Sequence, residues 1–271
     1  MIALHASRSF PSIDRFRRLD PKRPLVVVLT GTDLYRDIRT RASARKSLQI
    51  ADRIVVLQRL GLRELPAAVR RKARVIYQSA PRMAQHPERP TTQFRVCVAA
   101  HMRQEKDPFR AALAARLLPS SSAIRVLHVG ASIGREMRTA ALKHQKQNPR
   151  YRWLGPKSHA QTRRIIAGSH LLAITSRIEG GSNVLCDALA IGVPVVSTRI
   201  PGIVGTLGHD YPGYFPEGDT RALARLLSRC ENEIGFYRSL RSRCRALARL
   251  VDPAKETRAW KKLLAELAGA A

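Results

Sequence analysis

SRIEGGSNVLCDALAIGVPVVST, from Ser176 to Thr198, follows the short apolar run Leu171 to Thr175 and itself ends in a second run beginning at Val195. That order reads as strand, glycine loop, helix, strand. The loop Glu179, Gly180, Gly181, Ser182, Asn183 precedes a helix expected from about Val184 to Ala190. Free backbone N–H groups at the start of such a helix face whatever occupies the loop, and they favour a phosphate oxygen through hydrogen bonds and the helix dipole. The glycines let a ligand come close to the backbone, because no Cβ intervenes. Asp187 stands eight positions after Glu179. Eight positions are a little over two helical turns, so one carboxylate can sit at the loop and the other deeper on the same face. A rigid pair of acceptors at that separation suits hydroxyls on two different sugars.

Outward from this stretch, short β-branched runs alternate with longer Ala/Leu/Arg segments, the pattern of parallel strands separated by covering helices. The expected fold class is therefore α/β. Strands are expected at Leu25–Leu29, Arg53–Leu57, Arg74–Tyr77, Arg95–Ala99, Ile124–Val129, Tyr151–Leu154, Leu171–Thr175 and Val195–Thr198. The segment QSAPRMAQHPERPTTQ, Gln78 to Gln93, has three prolines and no apolar period, so a linker is placed there. The domain reading is an N-terminal unit over 1–80, a linker over 81–93, a second α/β unit over 94–250 and a terminal helical segment over 251–271 expected to pack back on the first unit. The first unit offers only about three clear strands, fewer than a complete doubly wound domain carries. Met1 is followed at once by IALHA, which reads as the interior of a strand and its exit. An incomplete N-terminal unit is expected.

The chain has 271 residues, 44% of them hydrophobic, enough to bury a substantial core. Lysine and arginine number 49 against 20 acidic residues, a net +29. Such a field concentrates anions near the surface, whether phosphates, nucleotides, nucleic acids or acidic membranes, while an arginine-rich habit on solvated helix faces explains part of the excess. Cys97, Cys186, Cys230 and Cys244 show no Cys-x-x-Cys spacing, so neither zinc nor a disulfide framework is expected, and a cytoplasmic protein fits. No apolar run approaches a membrane span, and no export signal is read at Met1 to Phe10. Peripheral membrane contact stays open. The run VVVLTGTDLYRDI, Val26 to Ile38, ends a buried strand in Thr30, Gly31, Thr32 and Asp33, which aims a polar cluster at the carboxyl ends of the strands.

The 176–198 stretch resembles the donor-site signature of the GT-B glycosyltransferases, which have two Rossmann-like domains facing a cleft: Glu, seven residues, Glu, then Gly-x-Pro-Val-Val. The resemblance implies that Glu179 and the amides of Gly180, Gly181, Ser182, Asn183 and Val184 hold the donor sugar and phosphate. It implies that Asp187, one methylene shorter than the family's glutamate, holds the ribose. In VAAHMRQEKDP, Val98 to Pro108, Lys106 matches the family's diphosphate-binding lysine. The usual arginine position falls on His101, and Arg103 is the expected substitute. RWLGP, Arg152 to Pro156, resembles the strand end whose backbone, at Leu154, recognises the base. The His-Asp pair found in many relatives near the N-terminal loop has Thr32 in place of the histidine. The opening strand and glycine-rich turn of complete relatives are missing, which suggests a misassigned start or a shortened chain.

LHASRS, the TGTDLYRDI block, ADRIVVLQ and HMRQEKDP together are similar to the selenosugar synthases of selenoneine biosynthesis, GT-B enzymes that join selenophosphate to the sugar of a UDP-sugar. That narrower likeness implies a small anionic acceptor positioned by Thr32 and Asp33, with Gly31 and His5 on the acceptor side. Lys106 and Arg103 would then stabilise the departing UDP. No cofactor beyond the UDP-sugar donor is implied, and without an Asp-x-Asp a metal is not required. Two alternatives remain at this level: a GT-B enzyme of cell-envelope polysaccharide or lipid-linked sugar synthesis, and a basic nucleic-acid-binding protein on a degenerate transferase scaffold. Low aromatic content and no recognisable binding module weigh against the second.

Overall fold

The computed structural model describes residues 1–269 and holds two parallel sheets. The first sheet has four strands in the order β1 (Ile2–Leu4), β2 (Val26–Leu29), β3 (Arg53–Val56), β4 (Ala73–Val75), all parallel. The N-terminal run IAL therefore pairs as a full fourth strand, in register with Val26 to Val28, where the sequence suggested about three clear strands. Period-two alternation sorts the side chains of this sheet. Val27, Leu29, Ile54 and Val56 join Ile13 of α1 (Phe10–Leu19) and Leu48 of α2 (Ala42–Ile50) in one core. Val26, Val28, Val55 and Leu57 face the other way.

That second face is covered from the far end of the chain. Leu263 and Leu267 of the last helix (Pro253–Ala268) pack against Val26, Val28, Val55, Leu57 and Ile76. The helix starts where Asp252 accepts the Ala254 N–H and Pro253 supplies a first-turn residue with no N–H to lose. Glu266 then binds Arg74 Nη2 at 2.8 Å and approaches Arg53 at 3.5 Å. The return of the C-terminus onto the first unit is thus sequestered apolar surface with an ionic rim.

No helix or strand lies between Val75 and Phe94. Beyond that crossover the second sheet carries β5 (Phe94–Ala99), β6 (Ile124–Val129), β7 (Tyr151–Trp153), β8 (Leu171–Ile174), β9 (Val195–Thr198) and β10 (Tyr214–Phe215). Its spatial order is β10-β9-β8-β5-β6-β7, the two-way winding of a complete Rossmann sheet. β10, two residues long, escaped the sequence reading because a run that short has no period to detect. The helices that follow are α3 (Arg110–Arg116), α4 (Arg135–Gln147), α5 (His159–Ala167), α6 (Asn183–Ile191), α7 (Pro201–Leu207), α8 (Thr220–Asn232) and α9 (Ile234–Leu247), with the last helix as α10. All four cysteines are buried and unpaired. Among the described residues no helix is long and apolar enough to cross a membrane.

Candidate functional site

β5 and β8 are hydrogen-bonded neighbours, yet the chain leaves them in opposite directions across the sheet. This is the topological switch point, where a crevice opens beyond the carboxyl ends of the strands. The exit of β5 carries His101, Arg103 and Lys106, and the exit of β8 carries Ser176 and Glu179. Two segments more than seventy residues apart in sequence are thereby brought into contact.

Lys106 Nζ lies 2.6 Å from Glu179 Oε1, and Ser176 Oγ donates to the same oxygen at 2.7 Å. Glu179 is 7% exposed. Below this pair Thr175 Oγ1 donates to the carbonyls of Lys106 and Asp107, pinning the lysine segment to β8. Arg103 is exposed on the cleft wall and its guanidinium makes no ion pair among the described residues. His101 fixes the opposite lip by accepting the Ala131 N–H at Nδ1.

The cleft encloses about 410 Å³. Gly181, Ser182, Asn183 and Val184 at the start of α6 line it, as do Glu179 and Asp187. Helix α6 begins at Asn183, one residue before the expected start, with Ser182 as its N-cap. The Ser182 hydroxyl does not cap the helix, so the first-turn amides keep their donors for another partner.

Gly180 differs from the reading of the loop as a continuous ligand cradle. It does not line the cleft; a Cβ there would overlap the carbonyl oxygen of Thr30 in the first unit. Gly31 faces back onto the Gly180 amide. These two glycines form a close approach between loops of the two units.

Asp187, 4% exposed, is flanked by two basic residues that the sequence reading did not single out. His159 Nε2 lies 2.9 Å from Oδ2, and Arg163 Nε lies 3.1 Å from Oδ1 without hydrogen-bond alignment. Arg163 also donates to the Pro81 carbonyl, tying the crossover to the site. His159 and Arg163 sit one turn apart on α5, whose start is set by a capping box between Ser158 and Gln161. The available signal was SHAQTR: a capping serine followed by two basic residues on one helical face. Lys157, His159 and Thr162 complete that wall of the cleft. Leu154, expected at the base position, does not line it. Its N–H is used by the His128 carbonyl, and its side chain packs on the core.

On the first unit, Asp33 is corrected. It is fully buried, and its carboxylate accepts from the Ala6 N–H, the Thr30 N–H and the Thr30 hydroxyl at 2.9 Å each. With its acceptors filled from within, Asp33 organises the loop and has no face toward a substrate. Thr32 and His5 do come together: His5 Nε2 is 3.0 Å from Thr32 Oγ1. The Arg8 N–H donates to His5 Nδ1, so the neutral ring carries its proton on Nε2 and donates it to the threonine. His5 adopts a left-handed backbone with φ 71°, sparsely populated for a residue with a side chain, and Asp37 Oδ2 lies 4.0 Å from its Nε2.

The family model for glycosyl transferases group 1 matches residues 79–249. No curated protein matches the sequence significantly. Among solved structures, the sucrose-phosphate synthase of Thermosynechococcus elongatus is similar, with TM-score 0.82 at 17% identity, covering all of this chain and 74% of the other. HepE of Anabaena in complex with UDP and glucose aligns with TM-score 0.76 at 17% identity, over 98% of this chain and 78% of its own. The UDP-forming α,α-trehalose-phosphate synthase of Burkholderia vietnamiensis aligns with TM-score 0.80 at 12% identity, over 100% and 72%. At such identities the likeness establishes the two-domain GT-B fold.

Proposed function

The chain belongs to the glycosyl transferases group 1 family, and on that premise we propose that it moves a hexose from a UDP-sugar to selenophosphate, forming a selenosugar. One observation carries the donor part. Arg103, Lys106 and the first residues of α6 line one cleft together with the buried Asp187. A ligand that satisfies both the cations and the carboxylate carries an anionic group and hydroxyl donors, as a nucleoside diphosphate sugar does.

Lys106 is paired with Glu179. An arriving diphosphate competes for the ammonium, and Glu179 is released to accept from sugar hydroxyls. During transfer the bond from the anomeric carbon to the phosphate oxygen breaks, and UDP leaves with the electron pair. Lys106, Arg103 and the helix amides then neutralise charge growing on the diphosphate. The new bond runs from selenium to the anomeric carbon, water then cleaves the P–Se bond to release inorganic phosphate and the selenosugar, and an already anionic nucleophile needs no strong base.

Support for an anionic acceptor comes from the cationic balance of the chain and from the sequence blocks shared with the selenosugar synthases. Two structural neighbours are named for sugar-phosphate products, so the fold accommodates charged partners. His5 and Thr32 are the acceptor-side candidates, with Gly31 between the units. The test is mass spectrometry of the chain with UDP-glucose or UDP-N-acetylglucosamine plus selenophosphate. A selenosugar and equimolar UDP support the assignment. UDP binding without any selenosugar removes the acceptor and leaves the donor site.

A further inference from the structure

Away from the donor cleft, a second cavity of about 380 Å³ opens where the two units and the crossover meet. Arg59 and Leu60 come from the first unit just after β3, and Tyr77 from the crossover. The stretch Val204 to His209, at the end of α7, and the residues Leu247, Arg249 and Leu250 come from the second unit. Leu60, Val204, Leu207, Leu247 and Leu250 make an apolar floor. Arg59, His209 and Arg249 stand exposed at its edge.

Two features say what this cavity would hold. Neither arginine nor the histidine enters an ion pair among the described residues, and no carboxylate is part of the wall. In addition, two backbone carbonyls of the wall, which would repel an anion, already have donors. Tyr77 Oη donates to the Gly205 carbonyl at 3.1 Å and Tyr214 Oη to the Gly208 carbonyl at 2.8 Å. An apolar floor under a cationic rim is complementary to a molecule with an aliphatic chain and an anionic head. Guanidinium groups match a phosphate in particular, through paired N–H donors.

We propose that this cavity is a binding site for a single-chain lipid phosphate, with the chain on the leucine floor and the phosphate between Arg59 and Arg249. Because its walls come from both units, the bound lipid links them and stabilises their present arrangement. The site is independent of the donor reading, since none of its residues lines the donor cleft.

The test is calorimetric titration of the chain with butyl, hexyl and octyl phosphate below their aggregation limits, with inorganic phosphate and octanol as controls. Each added methylene is expected to tighten binding by up to roughly fourfold. The double variant Arg59→Gln, Arg249→Gln is expected to weaken octyl phosphate at least tenfold while leaving UDP affinity unchanged. Leu250→Asp, which changes the floor and not the rim, is expected to abolish the chain-length dependence. A flat chain-length series overturns the proposal. So does octyl phosphate that binds the double variant as well as the parent, or that is displaced by UDP. If UDP fails to bind while the alkyl series behaves as expected, the donor reading falls and this site stands.

Discussion

Gly180 of the second unit and Thr30 of the first are packed so closely that a single methyl group on the glycine would occupy the position of the threonine carbonyl oxygen. The loop carrying Glu179 is therefore held from across the cleft. Its neighbour Gly202 is tight in the same way, because a Cβ there would overlap the Glu179 carbonyl. Gly180→Ala is expected to push the units apart, costing about 1–3 kcal/mol and lowering turnover more than UDP affinity. Thermal unfolding with parallel kinetics checks this, and a variant with parental melting and turnover would show that the approach is not needed.

Lys106 and Glu179 are expected to separate binding from turnover. Lys106→Ala removes a charge-assisted contact and should weaken UDP by about tenfold to a hundredfold. Glu179→Gln frees the lysine for the diphosphate, so UDP should bind at least as tightly while turnover falls. Calorimetry with UDP and initial rates with the sugar donor distinguish the two. Equal losses of UDP affinity in both variants would contradict a competition for Lys106.

Arg163→Leu leaves the Asp187 carboxylate buried beside His159 alone. Breaking such a buried pair costs about 3–5 kcal/mol. The double variant Arg163→Leu, Asp187→Asn should recover much of that loss, because the unpaired charge is gone. Urea unfolding of the four proteins forms a double-mutant cycle. Strict additivity would mean that the 3.1 Å approach carries no coupling.

Burial pushes the imidazole of His128 down to about 4, although its hydrogen bond to the Ala100 carbonyl opposes this. The ring is neutral in the folded protein and is protonated more readily once unfolded. Stability is therefore full above the unfolded value of about 6.5 and declines as the pH falls toward 4, where the folded form also takes up a proton. The loss from this residue approaches about 3 kcal/mol. Urea midpoints between pH 7.5 and 4.5 should show the decline, and His128→Gln should make it shallower.

Leu263→Ala tests the return of the C-terminal helix. The residue is 2% exposed against the β2–β3 face. Its truncation should cost about 2–5 kcal/mol, read by denaturant unfolding, with the first unit losing protection from hydrogen exchange before the second. Uniform loss across both units would mean that the helix does not act locally.

The strand-loop-helix-strand segment ending at Thr198 was legible because its parts are contiguous. Glu179, the glycine loop and Asp187 lie on one strand-loop-helix segment, and local spacing alone predicts their side of the fold. The continuous apolar run Val26 to Leu29 similarly announced a buried strand. Asp33 was misread, since its place in a polar strand-end cluster says nothing about which partners fill its carboxylate. His159 and Arg163 were overlooked for a related reason: they meet Asp187 only because α5 and α6 pack side by side. By itself the sequence determined the α/β class and the glycine loop that precedes a helix, and it placed the proline-rich linker over 81–93, all from hydrophobic period, proline placement and glycine position. The pairing of Lys106 with Glu179, the burial of Asp33 and the contact of Gly180 with Thr30 were decided only in three dimensions. Strand order and closure of one unit on the other bring distant segments within hydrogen-bonding range, and no local period encodes that distance.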